Sequence, residues 1–531
     1  MKVFTFDTTL RDGTQGEAVS FSAEDKLLIA QKLDELGIDY IEGGWPGSNF
    51  KDKEFFALAK GLKLKHARLV AFGATRFAKN TVHEDPSIQA IVEAGTPVVS
   101  IFGKSWDLHV TRALGVSEGE NLAMIADTVA YLKSKGKEVV YDAEHFFDGY
   151  IANREFALRT LEAAKNAGAD VLVLCDTNGG TMTPKLSAIC ADVRKRFEGV
   201  LGIHTHNDSE LAVANTLAAV EQGFAHVQGC MNGYGERCGN ANLTTVIANL
   251  ELKLDHSTIG KEKLGNLTAV ARFVAELANL PLRNDQAYVG RSAFAHKGGV
   301  HVSAVLKDAA TYEHVSPKTV GNRQRVLLSD LSGRGSILYK LKQHGLEERL
   351  DDDARRELLD RIKHMEFQGY ELEAAEGTFE LLVREALNPG LQLFDVVNYE
   401  VTTKSTGSSA TVTLKANDGV HSATAEGNGP VNALDQCLRQ ALAPMYPAIA
   451  AVKLTDYKVR VLDAKKGTAA RVRVLVEWSD HRKSWATVGV SENVIEASWF
   501  ALVDALRLEL MRLGEKDPGV ERAVEDYCWG V

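Results

Sequence analysis

The sequence has 531 residues, of which 45% are hydrophobic and 25% are charged, with a formal net charge of -10. This is the composition of a globular protein of more than one domain. An acidic chain without a basic run is poorly suited to nucleic acid or an anionic membrane, so we expect neither as a partner. No apolar stretch reaches the ~18 residues of a membrane span. We expect a cytoplasmic protein whose six cysteines are reduced thiols.

Residues 1–255 alternate short apolar runs, which predict strands, with longer amphipathic runs, which predict helices. The first helix is expected to begin after Ser22, which forms a capping-box pattern with Asp25, and to end at Gly37. The predicted strands are Val3–Asp7, Tyr40–Gly43, Arg68–Phe72, Val98–Phe102, Glu138–Ala143, Val171–Asp176, Leu201–His206 and His226–Met231. This repeat is typical of a TIM (β/α)8 barrel, which we assign to residues 1–280. An open doubly wound sheet would require a phosphate-binding loop in the first βα turn, and residues 8–13 lack that pattern.

The rest of the chain divides into two further regions. Residues 281–390 lose the alternation and predict helical linker subdomains. Residues 391–531 predict an α+β domain of two βββα units, with a single α+β domain as the alternative. The expected strands are Val396–Thr403, Ala410–Lys415 and Val420–Glu426 before a helix from Pro430, then Leu454–Leu462, Ala470–Trp478 and Ser484–Gly489 before a helix from Asn493.

Two histidines on the seventh predicted strand indicate a metal site. His204 and His206 are two residues apart, so on a strand their side chains share a face. In a TIM barrel the reacting groups lie at the carboxyl ends of the strands, where Asp12 can add a carboxylate. Two histidines and one carboxylate leave open positions for water or substrate. The alternatives are an ordinary pair of core or surface histidines, and a non-haem iron site with the same ligands.

Two further titratable residues lie at the ends of predicted strands. Arg11 could stabilise negative charge growing on a substrate oxygen, or it could be a buried partner of Glu42 or Asp176. Glu144 could be a general base or only a structural hydrogen-bond acceptor. A glycine-rich loop after the eighth strand could let the backbone approach a ligand, although a plain turn is the more frequent explanation. Its glycines are Gly233, Gly235 and Gly239.

Several motifs resemble those of the 2-isopropylmalate, homocitrate and citramalate synthase family. They are Leu10–Gln15 with Lys26, His204–Asp208 with Leu211–Asn215, and the loop Gly235–Ala241. Ala293–His301, Thr311–Glu313 and Ser332–Arg334 are similar to the family's linker subdomains, and Ile41–Asn49, Phe102–His109 and Tyr141–Tyr150 to its citramalate synthase branch. The sequence departs from the family pattern at Glu210, where glycine is expected, and at Cys238, where alanine is usual. Neither change removes an implied ligand.

The resemblance implies a set of site residues. A divalent metal (zinc, manganese or magnesium) would be held by Asp12, His204, His206 and Asn240. Substrate would be bound by Arg11, Thr177 and Asp142. Catalysis would use Arg11 and Glu144, together with His301 and Tyr312 contributed by a neighbouring subunit of a homodimer or higher homo-oligomer.

The implied activity is that of an acyltransferase in isoleucine biosynthesis, which condenses acetyl-CoA with pyruvate and water to citramalate and CoA. The nearest alternative is the same chemistry with 2-oxoisovalerate, which would give 2-isopropylmalate. A lyase or carboxyltransferase on the same barrel would not need the duplicated C-terminal domain. A further alternative, from a different class, is an amino-acid-sensing protein whose barrel is inactive.

The C-terminal domain resembles the family's allosteric domain. By that resemblance we expect feedback control by a branched-chain amino acid, with isoleucine as the effector. Gly427, Gly429 and Gly489 lie where predicted strands pass into helices, and a helix N-terminus there would suit a ligand carboxylate. The alternative is a dimerisation domain without a ligand.

Overall fold

The computed structural model describes residues 1–327, 339, 350–391, 393–416, 419–480 and 484–514. The chain divides into two compact units. The first comprises Met1–Phe294 and Val315–Arg323, and the second comprises Ala295–His314 and Gln324–Val531. The segment Ser332–Arg334, which resembles a family linker, lies outside the described residues.

The first unit contains a closed barrel of eight parallel strands, which confirms the predicted TIM fold. The strands are β1 (Phe4–Asp7), β2 (Tyr40–Gly44), β3 (Arg68–Ala74), β4 (Val98–Lys104), β5 (Glu138–Glu144), β6 (Val171–Asp176), β7 (Val200–Thr205) and β8 (His226–Gly229). The barrel closes because β1 pairs with both β2 and β8. The helices are α1 (Ala23–Leu36), α2 (Phe50–Ala59), α3 (Pro86–Glu93), α4 (Glu118–Ser134), α5 (Phe146–Ala152), α6 (Arg154–Asn166), α7 (Thr183–Arg196), α8 (Ala212–Glu221), α9 (Leu243–Leu252) and α10 (Leu267–Leu277).

Helix α1 begins and ends as its sequence predicts. The Ser22 side chain accepts a hydrogen bond from the Asp25 backbone N–H, and the Asp25 carboxylate accepts from the Ser22 backbone N–H. This reciprocal pair satisfies N–H groups that the first helical turn leaves without partners. Gly37 ends the helix with φ 97°, a left-handed conformation in which a Cβ would be strained.

The barrel interior is filled by side chains, mostly from the first halves of the strands. Phe6 and Tyr40 stack with ring centres 5.7 Å apart, and His226 lies 5.2 Å from Phe6. The same buried cluster includes Val70, Val98, Val140, Val171, Val173 and Cys175. Because this packing fills the amino-terminal part of the barrel, polar side chains can be accommodated at the carboxyl ends of the strands.

Two strands end earlier than predicted. β7 ends at Thr205, so His206 lies just beyond it, in an isolated bridge with Asn240. β8 ends at Gly229 instead of Met231. The backbone N–H of the next residue, Cys230, donates to the carbonyl of Ala241 and not to a neighbouring strand. The loop after β8 contacts both strand ends, although the His206 backbone N–H still donates to the Asp176 carbonyl of β6. Local periodicity does not encode such long-range contacts.

The second unit holds the linker elements and the C-terminal domain. Its first elements are β9 (Ala295–His296), α11 (Gly299–Val305), β10 (Arg325–Val326), α12 (Asp352–Gln368) and α13 (Glu376–Leu387). They are followed by β11 (Asp395–Lys404), β12 (Gly407–Ala416), β13 (Gly419–Gly427) and α14 (Pro430–Leu442), then by β14 (Lys453–Val461), β15 (Val472–Ser479), β16 (Ser484–Ser491) and α15 (Val494–Gly514). Two antiparallel three-stranded sheets, each followed by a helix, confirm the predicted pair of βββα units. None of the described helices is both long and apolar enough to cross a bilayer.

Each βββα unit is held by one apolar face of its sheet. On β12, Ala410, Val412 and Leu414 alternate with more exposed residues, as expected of a strand with one buried face. On α14, Leu434 and Leu438 are buried one helical turn apart. These side chains belong to one hydrophobic core, which also includes buried residues of the second βββα unit.

The described cysteines form no disulfide with one another, as predicted. Cys175, Cys190, Cys230 and Cys437 are buried, and Cys238 is exposed. Burial raises the pKa of the Cys190 thiol and disfavours its thiolate. Cys528 lies outside the described residues.

Candidate active site

The three predicted metal ligands lie together at the carboxyl end of the barrel. The ligand atoms of Asp12, His204 and His206 all lie within 4.8 Å of one another, and the three side chains are buried. His204 Nε2 is 3.2 Å from His206 Nε2 and 3.3 Å from Asp12 Oδ2. Two ring nitrogens and a carboxylate oxygen that converge in this way can bind one cation, so the donor set fits a divalent metal.

The protonation states that this cluster favours also suit metal binding. The pKa of Asp12 lies well below its usual range, because the Arg11 guanidinium and His204 outweigh the opposing effect of burial. Burial and the neighbouring His204 lower the pKa of His206 to about 3. Burial also acts to lower the pKa of His204, but Asp12 raises it overall, so a proton and a cation would compete for this ring. A carboxylate and a neutral imidazole are the forms that bind metal.

Asn240 lies at the edge of the same cluster. Its Nδ2 is 2.8 Å from Asp12 Oδ2 and 3.4 Å from His204 Nε2. Its Oδ1 is buried and has no hydrogen-bond partner within the described part of the chain. A half-turn of the amide exchanges oxygen and nitrogen, and would direct this oxygen at the cluster. That Asn240 is a ligand stays a prediction.

Glycines shape the loop that carries Asn240. Gly235 and Gly239 have φ values of 149° and 88°, which only glycine adopts easily. A Cβ on Gly235 would overlap Oδ1 of Asn240, and a Cβ on Gly239 would overlap the Gly233 carbonyl oxygen. These glycines therefore allow the loop to fold back so that Asn240 lies at the barrel. This structural role is sufficient to explain why glycine occupies these positions.

Arg237 anchors the same loop to the strand ends. Its Nε is 2.7 Å from Asp208 Oδ1, and its Nη2 donates to the Thr177 carbonyl at 2.8 Å. The Thr177 hydroxyl, predicted to bind substrate, accepts from the His145 backbone N–H at 2.9 Å. The observed contacts of Thr177 therefore hold the loops in place, and its substrate role stays a prediction.

Arg11 contacts a buried carboxylate, which is one of its two predicted roles. Its Nε donates to Glu42 Oε2 at 2.6 Å, which is one of the two predicted buried partners. Its Nη1 lies 3.2 Å from Asp12 Oδ1, and its guanidinium carbon lies 3.7 Å from the centre of the Phe72 ring. Asp176, the other suggested partner, accepts from Thr181 instead. Glu42 thus holds the arginine beside Asp12, one of the predicted metal ligands.

Glu144, the predicted base, forms an ion pair with Lys104. Glu144 is the last residue of β5 and Lys104 the last residue of β4, and both side chains are partly buried. Lys104 was not identified from the sequence. A charged residue at a strand's carboxyl end was the signal, but it lay in a segment used only for its resemblance to one branch of the family.

An aromatic and imidazole cluster, also missed, lies near Glu144. The ring centres of His109 and His145 are 4.2 Å apart, and Trp106 stacks on His109 at 5.1 Å. His145 has φ 55°, which turns the chain sharply directly after Glu144. Burial, His145 and Lys104 lower the pKa of His109, which favours its neutral form.

Asp142 lies beneath the metal cluster. It is buried, and its two oxygens accept hydrogen bonds from Gln228 Nε2 at 2.9 Å and Ser100 Oγ at 2.5 Å. Both contacts are with the barrel interior, so the predicted role in substrate binding gains no support from them. Gln228 was not identified from the sequence, because a lone glutamine within an apolar strand carries no recognisable signal.

The substitution at Glu210 has a local conformational consequence. Glu210 has φ 56°, the left-handed region in which glycine is favoured. It follows Asn207, whose carbonyl accepts from the Glu210 backbone N–H at 2.9 Å. This turn lies just before α8, which explains why a glycine fits the family pattern at this position.

His301 and Tyr312 belong to the second unit. His301 lies on α11 and Tyr312 directly follows a short 3-10 turn, and their rings stack with centres 4.2 Å apart. Both side chains are exposed. Their contribution to the site of a neighbouring subunit stays a prediction.

The three predicted regulatory glycines differ in their surroundings. A Cβ on Gly427 would overlap the backbone of Ala433, and a Cβ on Gly489 would overlap the Ala497 carbonyl oxygen. Close packing of strand and helix is therefore sufficient reason for these two glycines. Gly429 is the N-cap of α14, and no described atom outside its immediate neighbours lies within 4 Å of a Cβ built there.

Family models match successive parts of the chain. The model described as HMGL-like matches residues 2–274, and the homocitrate synthase post-HMGL domain-like model matches residues 288–369. The LeuA allosteric (dimerisation) domain model matches residues 373–509.

Similar proteins extend over nearly the whole chain. The (R)-citramalate synthase of Aquifex aeolicus (strain VF5) is 52% identical over 519 residues, covering 96% of this chain and 98% of that protein. The (R)-citramalate synthase of Geobacter sulfurreducens is also 52% identical, over 516 residues and the same shares of the two chains. The 2-isopropylmalate synthase of Methanocaldococcus jannaschii is 30% identical over 511 residues, covering 95% and 94%. The chain, with its barrel, its cluster of Asp12, His204 and His206, and its C-terminal domain, belongs to the HMGL-like family and, within it, to the (R)-citramalate synthases.

Proposed function

We propose that this protein condenses acetyl-CoA with pyruvate and water to give (R)-citramalate and CoA, as an acyltransferase that converts an acyl group to an alkyl group on transfer. The observation that carries the proposal is the convergence of Asp12, His204 and His206 within 4.8 Å. It occurs in a chain 52% identical to named (R)-citramalate synthases over nearly its full length.

The residues around the metal cluster would bind and polarise the 2-oxo acid. Asp12, His204 and His206 would hold a divalent cation, with Asn240 beside them. When bound, such a cation acts as a Lewis acid on a carbonyl oxygen. Arg11, held by Glu42 and partly buried next to Asp12, would present a positive charge to the keto oxygen as that oxygen gains negative charge.

Glu144 would remove a proton from the acetyl methyl group. The resulting enolate carbon forms a bond with the keto carbon of pyruvate, and the keto oxygen takes up a proton. Water then cleaves the thioester, which releases CoA and leaves the second carboxylate of citramalate. We assign assistance in deprotonation or hydrolysis to His301 and Tyr312 of a neighbouring subunit, consistent with their exposure and stacking.

Aromatic side chains beside Arg11 support a small acceptor. Phe72 and Phe102 stack at 5.4 Å, and Trp45 lies edge-on to each of them at 5.6 Å. The Arg11 guanidinium lies against the Phe72 ring. Three bulky rings near the arginine restrict the room for an acceptor side chain, which favours the methyl group of pyruvate over a branched chain.

Pyruvate should therefore give the fastest CoA release among 2-oxo acids. The measurement is thiol release from acetyl-CoA with pyruvate, 2-oxobutyrate, 2-oxoisovalerate and 2-oxoglutarate in parallel. A methyl-scale difference in an apolar pocket discriminates only about 10–200-fold, so slow use of 2-oxobutyrate is expected. Phe102→Leu, which enlarges the pocket, should narrow the ratio of pyruvate to 2-oxoisovalerate. Faster turnover of 2-oxoisovalerate would contradict the assignment, and metal binding without CoA release from any acid would favour the inactive sensing protein.

We further propose that the C-terminal domain assembles a homo-oligomer and mediates feedback inhibition by isoleucine. Two βββα units that form sheets of their own, separate from the barrel sheet, support a separate role. The match of residues 373–509 to an allosteric and dimerisation domain supports both parts of the proposal. Isoleucine is favoured over leucine because citramalate leads towards isoleucine.

Isoleucine should inhibit the intact enzyme more strongly than leucine or valine in initial-rate measurements. Gly429→Val should weaken the inhibition, because the new side chain enters open space at the start of α14 without overlapping a described atom. Gly390→Val is the matched control, since a Cβ there also meets no described atom within 4 Å, and it should leave inhibition intact. If no amino acid changes the rate or the melting temperature, the domain is architectural.

A further inference from the structure

A buried chain of hydrogen bonds leads from the metal cluster into the barrel. His204 Nδ1 lies 2.9 Å from Gln228 Oε1, and Gln228 Nε2 lies 2.9 Å from Asp142 Oδ1. Ser100 Oγ donates to Asp142 Oδ2 at 2.5 Å. The side chains come from β7, β8, β5 and β4 in that order, so the chain crosses the barrel interior beneath the cluster. All of these side chains are buried.

Asp142, at the end of these hydrogen bonds away from His204, determines which group donates in each of them. A carboxylate only accepts hydrogen bonds, so Asp142 requires that Gln228 present its Nε2–H₂ group to it. The Gln228 oxygen must then face His204, which removes the usual uncertainty about the orientation of an amide. A proton on Asp142 Oδ2 would be donated to Ser100, and Oδ1 would still accept from Gln228. The arrangement is therefore the same for the ionised acid and for the acid protonated on Oδ2, the oxygen in the short contact with Ser100.

The Gln228 oxygen selects one tautomer of His204. Because this oxygen can only accept, the Nδ1 of His204 must carry the proton, and the lone pair of the neutral ring is left on Nε2. Nε2 is the atom that faces Asp12 and His206. In the other tautomer, a hydrogen on Nε2 would point into the place where a cation must bind.

His206 differs in this respect. Its Nδ1 is buried and has no hydrogen-bond partner among the residues that the structure describes. The protein therefore orients one of the two metal-binding rings through side chains and leaves the other to the cation. This asymmetry predicts that the affinity of the site depends strongly on the contacts of His204.

We propose that Gln228 is a positioning residue, which fixes the tautomer and orientation of His204 and so sets the metal affinity of the site, with Asp142 holding the Gln228 amide. The inference rests on the proposed metal-dependent function. It also gives Asp142 a role other than substrate binding. Loss of a hydrogen-bonding partner behind a metal ligand typically lowers metal affinity about 10–100-fold.

The affinity of the full-length protein for a metal ion, measured without substrate, tests this role. Co²⁺ is the probe, because its visible absorption reports ligand geometry, and its affinity is measured in competition with a chelator. Gln228→Met removes the acceptor at similar length and should lower Co²⁺ affinity about 10–100-fold. Gln228→Glu should retain most of the affinity, because one carboxylate oxygen still accepts from His204, and a proton shared with Asp142 replaces the amide hydrogen.

The control for barrel packing is His226→Leu. His226 lies on the same strand and is buried, and its ring nitrogens have no hydrogen-bond partner among the described residues. This variant should keep both the affinity and the absorption of the Co²⁺ site. Unchanged affinity in Gln228→Met, or an equal loss in His226→Leu, would overturn the proposal.

If Gln228→Met does not fold, the tautomer of His204 in the unsubstituted protein tests the proposal instead. Nitrogen-15 shifts of labelled histidine, recorded without metal at a pH above the titration of the ring, distinguish the two tautomers. A proton on His204 Nδ1 supports the proposal, and a proton on Nε2 overturns it. None of these measurements uses CoA release. The role of Gln228 can therefore be disproved while the proposed condensation stands, and the condensation can be disproved while the role of Gln228 stands.

Discussion

Asp12→Asn and His206→Ala should each abolish CoA release together with metal binding. Asparagine at position 12 would remove the only carboxylate of the cluster, and alanine at position 206 would remove one of its two ring nitrogens. Three protein ligands are few, so the loss of any one leaves a weak site. A Lewis-acidic cation supplies several kcal/mol, and each ~1.4 kcal/mol is a factor of ten. We therefore expect the rate to fall ~10³-fold or more.

Elemental analysis of the purified variants, beside the thiol-release rate, provides the measurement. Added metal at about 100 times its dissociation constant should stabilise the unsubstituted protein by about 2.7 kcal/mol and stabilise the variants far less. Asp255→Asn and His66→Ala are controls of the same chemistry at sites with exposed side chains. A variant of Asp12 or His206 with full metal content and normal turnover would contradict the assigned site.

Glu144→Gln should keep the metal and lose about 10²–10⁴-fold in the rate of CoA release, the range that a general base contributes. Glutamine has the same shape as glutamate but cannot take up the proton of the acetyl methyl group. Glu144 lies at the end of β5 and is not one of the predicted ligands Asp12, His204 and His206, so metal content should be unaffected. Metal analysis and turnover at saturating pyruvate provide the measurement.

Lys104→Met separates the two roles of Glu144. This substitution breaks the Lys104–Glu144 ion pair from the other side and leaves the carboxylate in place. If Glu144 is the base, Glu144→Gln should cost far more activity than Lys104→Met. Equal losses would mean that the ion pair matters and not the proton transfer, and an unchanged rate in Glu144→Gln would make the carboxylate structural.

The sequence by itself determined the strands, the helices and the residues first predicted as metal ligands. Strands, helices and the cap at Ser22 follow from side-chain patterns within a few neighbouring residues, which chain sterics and local hydrogen bonds impose. The pairing of His204 with His206 follows from the two-residue period of a strand. Asp12 joined them because every strand of a parallel barrel ends at the same rim.

Only the tertiary structure showed which side chains from distant parts of the sequence contact one another. The ion pair of Glu144 with Lys104 requires β4 and β5 to be paired in register. The link from Asp142 through Gln228 to His204 crosses the closed barrel, and no local pattern specifies which side chains meet there. Barrel closure sets these distances, because it brings strands far apart in sequence within hydrogen-bonding reach. The same closure brings Gln228, a single glutamine within an apolar strand, within hydrogen-bonding distance of His204, one of the predicted metal ligands.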